Sequence, residues 1–454
     1  MPVGPARATG SPLLTWNLSR KGRHPNPIRR KATRAIRRAT APPEAHMTTD
    51  VFRGPVRFLT IASFVTTVGS GLYLAGSMLF FTRVVGLSVS GVSTGLAIAT
   101  VAGIVSGLPL GAVADRVGPR GLYVATQGVQ ATAMFLFPMT HSFAVFLALV
   151  TVASIGQRGA QAVGGALIAR ISEPGERTRI RSHLRAVTNL GMGIGAAAAG
   201  VALQLDSTAG YTLLILANGL SFLAAAGLLL KIPSVEPVSR PSGTRRMEAM
   251  RDGPYLALSL LCGLIAFQYD VVSLVLPLWL VSHTVAPPWW LSTLLVTNMA
   301  VVVLFQVKAT RWVRGPLPAS TALRGAGFLS LAGCIVLALA AGVSAPIAAA
   351  LLLVGVLLLS SGELGLAAGA FEISFVLAPE HAQGQYQGAF NLADGVVRAA
   401  SPVVLTALCL QWGQPGWVVL GVALALCGLA TRPLTRWALR TRTLPAPKAP
   451  LPVG

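Results

Sequence analysis

This chain of 454 residues is 53% hydrophobic and only 11% charged, with a mean hydropathy of +0.67. Soluble domains carry roughly 25% charged residues, so an ordinary water-soluble fold is excluded and lipid must cover the apolar surface. The charge present is lopsided, 36 Lys+Arg against 14 Asp+Glu. In a membrane chain that excess points to cytoplasmic loops and anionic headgroups before it points to nucleic acid.

Residues 1–46 differ in composition from the rest of the chain. They hold ten Arg or Lys and one acid, Glu44, with runs such as Arg29-Arg30-Lys31 and several prolines. They contain no apolar stretch of the kind a secretory signal requires. The segment reads as a basic arm for anionic lipid or nucleic acid, or as a solvated disordered tail. A third reading is favoured: Met47-Thr-Thr-Asp-Val stands just ahead of the first span as a natural start.

From Arg57 to Arg436, apolar runs alternate with short polar breaks. A helical span needs ~20 apolar residues, and twelve can be counted. The first six fall near 58–82, 91–114, 121–139, 143–169, 184–205 and 210–230. The second six fall near 255–281, 288–307, 319–341, 346–375, 387–410 and 416–435. The expected organisation is a basic segment 1–56, a bundle 57–231, a linker 232–253, a bundle 254–436 and a tail 437–454. Breaks of one parity collect the basic residues, Arg116, Arg120, Arg177, Arg179, Arg181, Arg311 and Arg314 among them. Both termini and the linker are therefore expected in the cytoplasm, with the chain multi-pass in the cell membrane. Cys262, Cys334, Cys409 and Cys427 all sit inside apolar runs without C-x-x-C or His pairing, and read as packing residues.

Between the second and third runs stands Gly111-Ala-Val-Ala-Asp115-Arg116-Val-Gly118-Pro-Arg120. This G-x-x-x-D-R-x-G-x-R string resembles the 2–3 loop signature of the major facilitator superfamily of secondary transporters, with Gly121 in place of the final base. The resemblance covers about 57–436 and implies an all-α integral membrane protein of twelve transmembrane helices in two six-helix bundles. Gly111 is expected to allow close approach of a second-bundle helix, with Asp115 facing that helix's cytoplasmic, N-terminal end or a nearby Arg. Loop 8–9, Gln306 to Gly315, keeps a base where the second half should echo this signature but lacks the opening Gly and the Asp. Loop 10–11, Ala378-Pro379-Glu380 to Gly384-Gln385-Tyr386, is similar to the family's A-P-E-x-x-x-G-x-Y turn. Gln383 and Gln385 stand where Arg is usual, which leaves no Lys or Arg there and argues against a charge latch. Span 4, Arg158-Gly-Ala-Gln161-Ala-Val-Gly164, resembles an R-x-x-Q-G-x-G signature of proton-coupled drug exporters. Span 5 has the glycines of the exporter pattern but not its proline.

A charge at mid-membrane costs at least ~3 kcal/mol, so each needs a partner or a wet cavity. The candidates are Arg158, Asp270, Glu363, Glu372, Asp394 and Arg398. Arg158 and Gln161, three apart, share a face and would tune a carboxylate or orient substrate. Asp270 and then Glu363 are assigned proton carriage, because a carboxylate's proton affinity moves with its surroundings and an arginine's does not. Glu372 lies toward a span end. Asp394 and Arg398, four apart on one face, are expected to neutralise each other as a structural pair.

The leading expectation is a transporter, not an enzyme, exporting a small organic compound against proton uptake. It would act as a monomer in the bilayer, with no cofactor, no metal and no nucleic-acid partner. Proton-symport uptake of a nutrient is the alternative. A different class is a membrane-tethered nucleic-acid or lipid binder working through the basic arm. A membrane enzyme is disfavoured because no His-rich cluster or Ser/His/Asp set occurs. If Met47 initiates translation, the intact mass of protein made from its own translation signals will lack residues 1–46; a mass that includes the arm overturns this reading.

Overall fold

The computed structural model describes residues 54–204, 207–234 and 247–441. The basic arm, Met47 and most of the linker and tail lie outside them. Among the described residues there are twelve long helical segments and no strands. The first six are α1 Pro55–Val84, α2 Val89–Val117, α3 Pro119–Leu136, α4 Phe143–Ile171, α5 Arg177–Leu203 and α6 Thr208–Leu229. The second six are α7 Gly253–His283, α8 Trp290–Trp312, α9 Pro316–Ala338, α10 Ala345–Val376, α11 Glu380–Gln411 and α12 Gln414–Arg440. Ten are long and apolar enough to cross a membrane by length and composition. The other two are α3, which carries Gln127 and Gln130, and α5, which carries four arginines in its first nine residues.

Helix starts obey local chemistry. Ser88, Ser142 and Ser207 each accept a hydrogen bond from the backbone N–H three residues on, as does Asp252 at the head of α7. These caps satisfy donors that the first turn leaves orphaned. Gly118 and Gly315, at φ 97° and 90°, both turn the chain immediately before a proline that opens the next helix. A left-handed turn of this kind needs Gly, and Pro suits the first helical position. The Gly-Pro corner thus survives at equivalent places in both halves, although loop 8–9 has lost the rest of the signature.

Two helices start earlier than hydropathy indicates. Hydropathy places the start of α5 at 184 and that of α11 at 387; they begin at Arg177 and Glu380. Both early turns are polar because they meet the opposite half at the basic end of the molecule, where Arg116, Arg120, Arg311 and Arg314 also lie. Apolar content marks the lipid-covered length of a helix, and these turns are covered by protein.

Within the first half α1 packs on α5 and α6, α2 on α4, and α3 on α4 and α6; in the second, α9 packs on α10 and α12. At the end opposite the basic loops, Phe80, Phe81, Phe137 and Phe146 form a ring cluster with edge-on contacts of 4.7–5.3 Å between Phe81 and the other three. Trp279 and Trp417 meet edge-on at 5.4 Å at the same end of the second half. Large apolar residues such as Leu74, Val101, Val105 and Val403 stay exposed, as lipid-facing side chains should.

Small residues set the closest approaches. A Cβ on Gly195 of α5 would run into the Val68 carbonyl of α1, and one on Gly71 would lie 2.5 Å from the Met192 carbonyl. Both obstacles are backbone, which cannot swing aside. Gly195→Leu should therefore cost about 1–3 kcal/mol of stability or more, read as a lower melting temperature in detergent. Gly200→Ala, with nothing within 4 Å of the new Cβ, should leave it unchanged. Equal melting for the two variants would show that α1 and α5 are not held at this distance.

A closed basic end and a charged chamber

The 2–3 loop residues lie against the start of α11. Asp115 is 4% exposed, and its two carboxylate oxygens accept the Gly384 and Gln385 N–H groups at 2.7 and 2.8 Å. These are orphan donors of a helix N-terminus, where the dipole also favours an anion. Gly111 makes the approach possible: a Cβ there would collide with the Gly384 carbonyl, and one on Gly384 would meet both the Gly111 carbonyl and Asp115. Arg120 donates to the Leu229 and Leu230 carbonyls and so ties α3 to the end of α6. Arg116 is exposed.

The expectation that loop 10–11 has no charge latch is corrected. Arg177 makes two hydrogen bonds to Glu380, at 2.9 and 3.0 Å, and a third to the Ala169 carbonyl. The base comes from α5 of the other half, so the loop's own lack of Arg is immaterial. Glu372 also closes this end, accepting from Thr178 of α5 and from the Gly315 N–H at 2.6 Å. His381 and Glu248 lie 2.8 Å apart, and the Tyr386 hydroxyl donates to Asp252 at 2.9 Å. The resumed chain after the linker is thereby tied to the same loop.

Behind this closure lies a chamber of about 360 Å³ whose wall includes Gln161, Arg181, Arg185, Tyr269, Asp394 and Arg398. A second cavity of about 510 Å³ continues toward the opposite end past Asn189, Met192, Asn298 and Glu363. The two share Arg185, Tyr269 and Arg398. The Arg185 guanidinium lies 4.5 Å, and that of Arg398 5.8 Å, from the centre of the Tyr269 ring. This cluster partitions the inner chamber from the outer cavity.

The two carboxylates that the sequence favours for proton carriage are both engaged. Asp270 is held by Arg398 at 2.9 Å and by the Ser401 hydroxyl at 2.6 Å. Glu363 is held by Arg185 at 2.9 Å and by Asn298 at 3.2 Å. The expected Asp394–Arg398 pair does not form. Arg398 reaches across to α7, where Ser401 one turn along helps hold the same carboxylate. Among the described residues Asp394 has no hydrogen bond or ion pair; it is left on the chamber wall in the field of Arg398, Arg158 and Arg185. Arg158 is off the chamber wall, its stem against α2, where a Cβ on Gly103 would lie 3.1 Å from Arg158 Cγ. Its face-mate Gln161 does line the chamber.

Hydropathy and charge counting treat Arg181 and Arg185 only as topology markers or as the edge of a span. A finer signal is present: Arg177, Arg181 and Arg185 recur every four residues and so share one helix face. Arg181 donates to Gln387 at 2.7 Å and lies over the rings of Phe371 and Phe375 at 5.1 and 5.6 Å. Among the described residues, no group of three His, Cys, Asp or Glu is placed to hold a metal.

A family model described as Major Facilitator Superfamily matches residues 59–402. The chain belongs to that superfamily. It is a multi-pass membrane transporter and not an enzyme. It is 25% identical over 354 residues to the class C tetracycline resistance protein of Escherichia coli, covering 74% of this chain and 84% of that one. Two solved transporters share the fold of this superfamily member. One is a bacterial homologue of the iron transporter ferroportin in an outward-facing state, with TM-score 0.68 and 17% identity over 85% of this chain and 99% of that one. The other is the Escherichia coli fucose:proton symporter, with TM-score 0.60 and 14% identity over 85% and 99%.

Asp115→Asn removes the charge and puts an amide, itself partly a donor, against two N–H donors. The closed basic end should open more often while the fold persists. Distances between spin labels at the basic ends of α2 and α11 should lengthen, with stability lowered by no more than about 2 kcal/mol. Identical distance distributions would refute a conformational role for this contact.

Proposed function

We propose that this superfamily member exports a small organic compound in exchange for protons, by alternating access. The halves 57–231 and 254–436 would rock about the shared chamber. The basic end is taken as cytoplasmic by the positive-inside rule, with both termini on that side of the cell membrane. On that orientation the described conformation is closed to the cytoplasm. The chamber is complete within one chain, so a monomer suffices. Similarity to a tetracycline resistance protein supports export of a drug-like compound.

The observation that carries the coupling is Asp394. Exchange needs a group that holds a proton or the substrate but not both, and that is reached from each side in turn. Asp270 and Glu363, first choices from sequence, are each held by an arginine at 2.9 Å. Asp394 lines the chamber unengaged. It takes the proton role in this reading, and the two ion pairs become structural ties around it. Arg398 and Arg158 place positive charge near Asp394, and Gln161 contributes a polar contact to substrate.

The test uses purified protein in liposomes with an imposed pH gradient and tetracycline as the first substrate tried. Asp394→Asn should abolish gradient-driven accumulation yet permit passive exchange, since only the energy link is cut. Asp270→Asn and Glu363→Gln should slow transport but leave it dependent on the gradient. Full accumulation by Asp394→Asn would overturn this assignment, and dependence on sodium would replace the coupling ion.

A further inference from the structure

The inner chamber offers one cation and one anion that form no direct ion pair among the described residues, Arg181 and Asp394. Of its three lining arginines, Arg185 is taken by Glu363 and Arg398 by Asp270. Arg181 is not: among the described residues its hydrogen-bond partner is the neutral Gln387, and its faces rest on Phe371 and Phe375. Among the described residues Asp394 likewise shows no hydrogen bond or ion pair, although it lies in the field of Arg398 and Arg158. Asn391, one turn before Asp394 on α11, also lines the chamber, and its amide nitrogen is buried without a hydrogen bond. A buried donor left unmade costs about 1–3 kcal/mol, so a ligand that satisfies the Asn391 nitrogen and pairs with Arg181 and Asp394 would be favoured in this chamber.

The sign of the coupling narrows the class. A ligand with only an acid group would pair with Arg181 and bind better when Asp394 is protonated. It would then travel with the proton and not against it. A ligand with only an amine would displace the proton from Asp394, as exchange requires, but leave Arg181 without an anion. A ligand carrying both groups satisfies Arg181 and still competes with the proton. We infer that the substrates are small amphoteric compounds, with an acid or other anionic group on Arg181, an amine on Asp394 and an aromatic or apolar body between them. Tyr123 and Phe390 supply the wall for that body. The chamber's 360 Å³ lies at the small end of the range for drug-sized ligands, about 300–1,000 Å³. This assignment rests on the proposed proton exchange.

The experiment measures binding of three matched probes to the full-length protein at pH 7. They are norfloxacin, which has both groups, its N-acetyl derivative, which keeps only the acid, and its methyl ester, which keeps only the amine. Norfloxacin should bind about tenfold or more tighter than either derivative, the scale of one charged hydrogen bond. Arg181→Gln should reduce norfloxacin to the affinity of the ester and leave the ester unchanged. Asp394→Asn should reduce it to the affinity of the N-acetyl derivative and leave that derivative unchanged. Arg181→Lys, which keeps the charge, should rescue part of the loss, and melting curves check that each variant is folded. Equal binding of norfloxacin and the ester, or no binding by any of the three, would overturn the assignment. Flux in liposomes separates the two proposals. Gradient-driven transport of the ester, which keeps only the amine, but not of norfloxacin refutes the amphoteric class and leaves proton exchange standing. Norfloxacin binding without gradient-driven transport leaves the class and refutes proton exchange.

Discussion

One buried carboxylate holds the basic end shut. Asp115 meets the first free N–H groups of α11, and two backbones must come within reach of each other for it to do so. Gly111 and Gly384 permit that approach because neither has a Cβ to place between the two backbones. Charge-assisted hydrogen bonds of this kind contribute about 1.5–3 kcal/mol each at most. That scale is comparable with the few kcal/mol that separate two states of a protein, so a contact of this kind can be both made and broken. The Arg177–Glu380 pair adds less: the Glu380 side chain is 56% exposed, and exposed ion pairs are worth about 0–1 kcal/mol.

The charges deeper in the membrane divide by what they join. Asp270 and Arg398 lie on α7 and α11 of one half, so their pair can persist as the halves rock. Arg185 and Glu363 lie on α5 and α10, in different halves, and any relative rotation must either pivot about that pair or break it. A lone buried charge is far more costly than a lone surface one, so pivoting is the cheaper course. The chamber lies beside this pair and is lined by residues of both halves, so a ligand held there would touch both.

Much of this is legible in the sequence. Twelve spans, the basic breaks and the G-x-x-x-D-R-x-G-x-R loop come from hydropathy and spacing, because lipid imposes a strict length and backbone rule on each helix. The charge partners are not legible. The four-residue rule states that Asp394 and Arg398 can meet, but not that Asp270, 128 residues away, competes for the same guanidinium and wins with help from Ser401. Glu380 finds Arg177 across 203 residues, which no local pattern reveals. Arg181 and Arg185 escape notice for a different reason. Hydropathy ends a span where protein, not lipid, covers the helix, so Arg181 is counted as loop charge and Arg185 as the edge of the span.

The partition between the two cavities has a backbone cause. α7 is regular to Ile265, breaks at Ala266 and winds as a wider π-turn over Val271–Val275 before resuming at Leu276. Pro277 explains the widening: it has no N–H for the carbonyl four residues earlier, so the preceding turn must find other partners. Tyr269 and Asp270 sit in this irregular stretch. They occupy the short turn between the break and the π-turn, with Tyr269 between two guanidinium groups and Asp270 on Arg398 and Ser401. Irregular backbone at membrane depth is tolerated only where it is buried in protein or lines a polar cavity. α7 is broken where it lines one, and the same break that costs regular hydrogen bonds supplies the aromatic ring against which both inner arginines are held.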